Sequence, residues 1–418
     1  MTDFTVNEIA VLHALYSLES PTRTAISREC CMSLGVTSSV LDGLLRKGAI
    51  TKAGSDTPAI GRPSVLYGID PRVGFALGIA VDTASVGIVA VDASKALIAE
   101  KMVPVDVMST EPSATDCAPK HSPPVGSEQP AFIGNLIHLC DAFLAQKKLP
   151  AESLLAIGLG LPGAVNPRTG VWIRGLRVAG IERVNIRASI SKYYSVPVSV
   201  DDVARTIATY EKTLGLGRSP KDLVVLHLSE GVGAGAIVGG KLYQGHRGLS
   251  AEIGHLTVDP HGYRCICGSV GCLETIASIP GILRFFADRI REVGQQALAG
   301  HYFSNVGELS IASILEAARG GDGFTRSILF EIGSYLGEAC TNLVFLYDPE
   351  QIIVSGIGAL LGEYLIDAIR QSMAKRISAS LYQDFDVLFS RYEPTHEAHG
   401  AALLATSAYW DVAADGRR

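Results

Sequence analysis

The sequence predicts an α/β protein with a small helical unit in front of it, and three observations carry that expectation. From Leu154 onward, strand-like apolar runs alternate with helical ones to the end of the chain, the order that α/β packing requires. Two Gly-rich strand–turn segments, near Gly78 and near Gly231, hint that the α/β core is duplicated. Residues 1–70 instead hold short segments of helical period followed by two β-like runs.

Composition agrees with a globular chain. Its 418 residues suggest two to four domains at roughly 100–200 residues each. With 47% hydrophobic and 19% charged residues, the chain is neither disordered nor a coiled coil. The net charge of −6 argues against a general nucleic-acid coat but leaves room for one small basic patch. There are 44 glycines, above the ~7% that is usual, so tight turns or close backbone approaches are expected. No run of 18 apolar residues occurs, so no membrane insertion is expected. Met1 to Phe4 lead into no basic-then-apolar leader, and a cytoplasmic location is expected. In that reducing compartment the eight cysteines should be thiols, and a tight group of them points to a metal.

In chain order, Val6, Ile9, Leu12 and Leu15 give a first helix its apolar stripe. Thr24 to Met32 make a second short helix. Ser33 to Val36 form a Gly-containing turn, and Thr37 or Ser38 caps a third helix running to about Lys47. Two short helices about such a turn fit a helix-turn-helix. The runs at 48–51 and 65–69, around a polar loop at 52–64, read as a two-stranded wing. A β-hairpin over Leu77–Val91 and Lys95–Val103 starts a sheet. Residues 104–130 hold six prolines among Ser, Thr and Asp and read as a mobile surface loop. Ala131 to Lys148 is an amphipathic helix, and Leu154 to Leu161 is a buried strand. The expected division is residues 1–70 as a winged helix-turn-helix and 71–418 as the α/β unit.

The sharpest chemical signal is His255 followed by Cys265, Cys267 and Cys272. Three thiols and one imidazole within 18 residues suit a closed tetrahedral site for structural Zn2+. Four protein ligands leave no open position, so a catalytic zinc is not expected. Gly268 and Gly271 let the backbone fold around the ion.

Gly254-His255 with Cys265-Ile266-Cys267-Gly268-Ser269-Val270-Gly271-Cys272-Leu273-Glu274 resembles the signature of the ROK family, which comprises bacterial repressors, open reading frames and sugar kinases. Ile157 to Val165 and Asp348 to Gly356 are similar to two further family segments, and the likeness covers about residues 75–410. The resemblance implies an actin-like, ribonuclease-H-like fold of two lobes with a sugar cleft between them. The preceding winged helix is similar to the repressor branch. By the same resemblance, Glu252, His255 and Glu274 match residues that hydrogen-bond sugar hydroxyls, and Asp202 takes the place of a sugar-binding Asn. His255 would use one ring nitrogen on zinc and turn the other toward the sugar. Arg177 falls near a sugar-contacting Asn of the kinases, which would favour an anionic ligand such as a sugar phosphate.

Three positions depart from the family's kinases. Ala80 stands where an Asp holds magnesium and phosphate. Glu230 stands in the second phosphate loop, where like charge repels. Val203 aligns with the general base, and valine accepts no proton. A one-residue gap would instead put Asp202 in the base slot, whereas the ungapped alignment keeps Glu211 in register. Sugar phosphorylation is therefore not expected, and an ATP-dependent sugar kinase with a fused head stands as the alternative.

Residues 21–65 carry six Arg or Lys (Arg23, Arg28, Arg46, Lys47, Lys52, Arg62) against three acids (Glu29, Asp42, Asp56), a local +3 inside the −6 chain. Thr37, Ser38 and Ser39 open the expected recognition helix, with Arg46 near its end. Arg62 beside Pro63 in the wing suits a narrow minor groove and A·T-rich flanks. One such head reads few base pairs, so a homodimer or dimer of dimers on a palindromic operator is expected. The expectation is a sugar-responsive, DNA-binding transcriptional regulator that represses carbohydrate uptake or catabolism.

Overall fold

The computed structural model describes residues 4–56, 63–82, 85–104, 131–175, 182–293, 302–303, 307, 309–378 and 385–415. Three helices open the chain: α1 (Val6–Ser17), α2 (Arg23–Glu29) and α3 (Leu34–Arg46). A capping box starts α1, where Thr5 accepts from the Glu8 amide and Glu8 accepts in return. The antiparallel pair β1 (Ile50–Asp56) and β2 (Ser64–Ile69) forms the wing. Two expectations change here. The second helix ends at Glu29 rather than Met32. The third starts at Leu34, because Ser33 caps it by accepting from the Val36 amide. Thr37 and Ser38 therefore lie inside α3 rather than at its cap.

The first lobe is a five-stranded sheet of order β10-β6-β3-β4-β5. It comprises β3 (Phe75–Val81), β4 (Ser85–Asp92), β5 (Leu97–Pro104), β6 (Leu154–Leu161) and β10 (Val198–Asp202). The expected hairpin is thus three strands, since β3 pairs antiparallel with β4 and β4 with β5. Helices α4 (Ala131–Lys147) and α5 (Ile186–Tyr194) cover one face with Phe143, Ile186 and Ile190. A small sheet of β7 (Ala164–Asn166), β8 (Val171–Arg174) and β9 (Glu182–Asn185) flanks it. The expected mobile loop lies outside the described residues beyond Pro104. Helix α6 (Val203–Thr213) leaves the end of β10.

The second lobe repeats the plan in the order β13-β12-β11-β14-β15. Its strands are β11 (Leu223–Leu228), β12 (Val232–Val238), β13 (Lys241–Tyr243), β14 (Gln351–Ser355) and β15 (Asp386–Phe389). In each sheet the first three strands in sequence form an antiparallel meander, and the other two add parallel beside the first. The duplication hinted at by the glycine-rich turns is thus a duplicated topology. Its core holds α7 (Glu274–Ala277), α8 (Ile279–Val293), α9 (Ile311–Arg319), α10 (Gly323–Tyr347) and α11 (Gly362–Ala374).

The last helix, α12 (His396–Asp415), joins the parts. Its Ala398, Ala402 and Leu403 pack on Ala76, Ala80, Val89 and Val91 of the first sheet. That approach needs glycine in the strands. A Cβ on Gly78 would lie 1.9 Å from the Ala398 carbonyl, and one on Gly158 1.8 Å from that of Ala401. The far end of α12 carries Ala405, Tyr409 and Trp410 into a core shared with Val11, Leu12, Leu15 and Tyr16 of α1. The Tyr16 hydroxyl donates to the Leu403 carbonyl at 3.1 Å, and His13 pairs with Asp411 at 2.8 Å.

Candidate functional site

A cleft with about 1020 Å³ of open space lies between the lobes. The strand ends and turns of both sheets supply its walls. Asp202, Glu252, His255 and Glu274 all line it, so four of the sequence-predicted ligand residues come together. Arg177 lies outside the described residues.

Local structure explains each placement. Asp202 ends β10 and caps α6, accepting from the Arg205 amide at 2.8 Å. The Arg205 side chain, 1% exposed, forms ion pairs with Asp201 and Asp202, both at 2.5 Å. Gln244 donates to the second oxygen of Asp201 at 2.6 Å. Burial pushes the Asp202 carboxyl up to about 7, despite the opposing pull of Arg205. Burial also raises the Glu252 carboxyl. Glu274 opens α7 and accepts from the Val232 amide at 3.3 Å, at the start of β12 just after the Gly-rich turn.

The departures from kinase chemistry are placed as well. Ala80 and Val203 line the cleft. Glu230 is half-buried in its turn and is not among the lining residues, whereas Ser229 and Gly231 on either side are. A second set of lining residues escaped the sequence reading: Asp82, His227 and Glu397. His227 Nδ1 is 3.1 Å from Ser355 Oγ, and its Nε2 is 3.5 Å from Glu397 Oε1. Burial lowers the His227 imidazole to about 4 and raises the Glu397 carboxyl to about 7, helped by the charge of Asp82. A histidine in an apolar strand next to a glycine turn was the available signal. Its partner, 170 residues away in sequence, was not visible.

The metal-ligating group is compact. The ligand atoms of His255, Cys265, Cys267 and Cys272 all lie within 4.8 Å of one another. His255 Nδ1 is 3.7 Å from Cys265 Sγ, and Cys267 Sγ is 3.7 Å from Cys272 Sγ. An ion bonded tetrahedrally at ~2.3 Å needs ligand atoms about 3.8 Å apart, so the four residues can hold a metal. The backbone is shaped for it. Gly271 has φ 72°, and a Cβ there would lie 1.5 Å from the Asp259 carbonyl. The Ser269 amide donates to Cys267 and lowers its thiol to about 7, which favours the thiolate a metal takes. Cys272 is two residues before Glu274, and His255 three after Glu252, so the same knot holds the cleft carboxylates.

In the N-terminal unit, Thr37 is corrected as a DNA-contacting residue. It is fully buried, and its hydroxyl donates to the Ser33 carbonyl at 3.0 Å. Position 37 lies four and seven residues before Leu41 and Leu44, so it shares the buried face of α3. Ser38 is half-buried, donating to the Leu34 carbonyl and accepting from Arg23 at 3.3 Å. Ser39 and Arg46 are exposed. Val36, expected in a turn, is 44% exposed on the same helix. Arg62 lies outside the described residues.

Two lobes of matching topology about a cleft, with a winged helix in front, define the class: a two-lobed sugar-kinase-like fold carrying a DNA-binding type of head. The ROK family profile matches residues 129–408, and the chain belongs to that family. Over 96% of both chains it is 24% identical to the xylose repressor of Caldicellulosiruptor bescii. It is 33% identical to the glucokinase of Halalkalibacterium halodurans, over 57% of this chain and 72% of that one. A ROK-family transcriptional regulator, a homologue of the Escherichia coli Mlc protein, superposes with a TM-score of 0.77 over 99% of each chain at 23% identity, a likeness of fold. A ROK glucokinase from Streptomyces griseus, solved with glucose and AMPPNP, superposes at 0.63 over 79% of this chain and 99% of that one, with 26% identity.

Proposed function

We propose that this chain is a sugar-responsive transcriptional repressor. Residues 1–70 bind operator DNA, and residues 71–418 sense a sugar in the interlobe cleft. The observation that carries this is α12. Glu397 in its first turn lines the cleft, and Tyr409 and Trp410 in its last turns pack in the core of the N-terminal helices. A sugar that closes the lobes moves the one rod that also seats the head. Likeness to a xylose repressor along 96% of both chains supports the same reading.

Zinc fits the four ligands, and there it would act as a structural cross-link. His255, Cys265, Cys267 and Cys272 would hold it, and this chain's carboxylates Glu252 and Glu274 would be oriented as a consequence. Sugar hydroxyls would donate to Asp202, Glu252 and Glu274 in charge-assisted hydrogen bonds. Ser39 and Arg46 would meet the operator, with the chain acting as a homodimer on a palindrome. On the ungapped alignment, Ala80 and Val203 stand where the family's kinases carry a metal-holding Asp and the base, which supports the repressor reading.

Fluorescence anisotropy of the full chain with operator fragments selected from a random DNA pool tests the reading. Binding that shifts with D-xylose, D-glucose or N-acetyl-D-glucosamine is expected, and no enriched DNA would overturn it. A second reading, a sugar kinase with a regulatory head, draws on Asp202, whose carboxyl near 7 suits a general base. ADP release over a hexose panel separates the two, since sustained turnover would establish the kinase.

A further inference from the structure

The cleft is larger than the sugar site within it. Asp202, His255 and Glu274 all interact electrostatically with Glu252, so these four ligand residues gather at one end. The whole cleft has about 1020 Å³ of open space, at the top of the ~300–1,000 Å³ that hold drug-sized ligands and more than one pyranose ring fills. A second end lies where α12 begins. It is lined by Gly87 of β4, Met102 of β5, His227 of β11, and Tyr392, Pro394 and Glu397. These residues are neighbours. A Cβ on Gly87 would lie 3.1 Å from Met102 Sδ and 3.6 Å from the Cβ of Ala398, which follows Glu397. Tyr392 is near enough to Glu397 for the carboxyl to act on its hydroxyl, and His227 Nε2 faces Glu397 Oε1.

This second end is amphipathic. Met102 is 41% exposed, and with Pro394 and Tyr392 it gives the cleft an apolar wall. Hydrogen-bonding groups stand among these side chains. Burial above all raises the Tyr392 hydroxyl to about 12, so it keeps its proton and can donate. His227 Nε2 and Glu397 Oε1 are 3.5 Å apart, beyond the ~2.7–3.2 Å of a well-formed hydrogen bond, so both can still take a ligand hydroxyl. A wholly apolar group would desolvate these polar atoms without pairing them, which is costly. A pyranose ring offers both surfaces: flat C–H faces for Met, Pro and aromatic side chains, and hydroxyls at its rim.

We propose that the cleft takes a disaccharide rather than a single sugar, with one ring at Asp202, Glu252, His255 and Glu274 and the next against Met102, Tyr392 and Glu397. This rests on the sugar-sensing reading above and names the class of ligand sensed.

Titration calorimetry on the full chain tests it with monosaccharides against their disaccharides: D-glucose against cellobiose and maltose, D-xylose against xylobiose, and N-acetyl-D-glucosamine against N,N′-diacetylchitobiose. At least one disaccharide is expected to bind about tenfold or more tighter than its parent sugar. Tyr392→Ala is expected to narrow that ratio by about tenfold and Met102→Ala by about threefold. Met102→Ala keeps the test alive if Tyr392→Ala misfolds, since Met102 is 41% exposed. Disaccharides that bind no tighter than their parent sugars overturn the second ring while leaving sugar sensing intact. A ratio unmoved in both variants overturns the assignment of that ring to Met102 and Tyr392. AMPPNP that displaces the disaccharide but not the monosaccharide gives this end of the cleft to a nucleotide and overturns the proposal. Heat from no sugar of the panel brings down the sugar-sensing reading itself, and this proposal with it.

Discussion

At the residue scale, the four candidate metal ligands and the buried His227–Glu397 pair make the clearest predictions. Cys265→Ser removes one of four ligands and should lower metal content well below one ion per chain. Stability should fall by about 2 kcal/mol or more, and chelation of the wild type should mimic the loss. Metal analysis together with melting curves, with and without chelator, checks this. Glu397 has its carboxyl raised from 4.5 to about 7, so the folded state binds its proton more tightly than the unfolded state. Its contribution is therefore full below about 4.5 and is lost as pH rises to about 7. His227, lowered from 6.5 to about 4, works the other way and costs stability as pH falls below 6.5. The two oppose each other between 4.5 and 6.5. Wild-type stability relative to Glu397→Gln should thus rise by on the order of 2 kcal/mol between pH 7.5 and pH 5. Denaturant titrations at the two pH values would show it, and a pH-independent difference would count against it. On α3, Arg46→Ala should weaken operator binding and reduce the salt slope by about one, as for a single phosphate contact. Thr37→Val should act through folding alone, because Thr37 is fully buried.

At the element scale, the strand glycines explain much of the glycine excess. Gly78 and Gly158 are flat places where α12 lies against β3 and β6. Gly158→Val would drive a methyl group into the Ala401 carbonyl, since even a Cβ would come within 1.8 Å of it. A loss of about 3 kcal/mol is expected, read as a lower midpoint in equilibrium unfolding. Local signals made most elements visible. The apolar run Leu154–Leu161 and the stripe of α1 are each strong patterns over one element. Boundaries were less visible where two caps compete. Ser33 and Thr37 are both good N-cap residues four apart, and packing of α3 decides for Ser33.

At the scale of the whole molecule, α12 reaches from the cleft to the front helices, the path proposed for the sugar signal. Trp410 is fully buried among residues of α1 and the first lobe. Trp410→Ala should cost about 3 kcal/mol and uncouple the parts, so that sugar no longer alters operator binding by as much as in the wild type. Anisotropy titrations with and without saturating sugar measure that ratio, and an unchanged ratio would remove α12 as the path.

The sequence alone determined the α/β class, the front helices and wing, the metal-ligating quartet and four of the cleft residues. Each of these is written in residues close together or in a period repeated along one element. His255 and the three cysteines, for example, are within 18 positions. Only the tertiary structure decided that Thr37 is fully buried and that His227 and Glu397 meet in the cleft that Asp82 also lines. The reason is physical. A helix face is buried by what packs on it, and buried charge is set by elements folded together from distant stretches. Of these, α12 is the largest, since it comes last in sequence yet touches the first helix, the first sheet and the cleft.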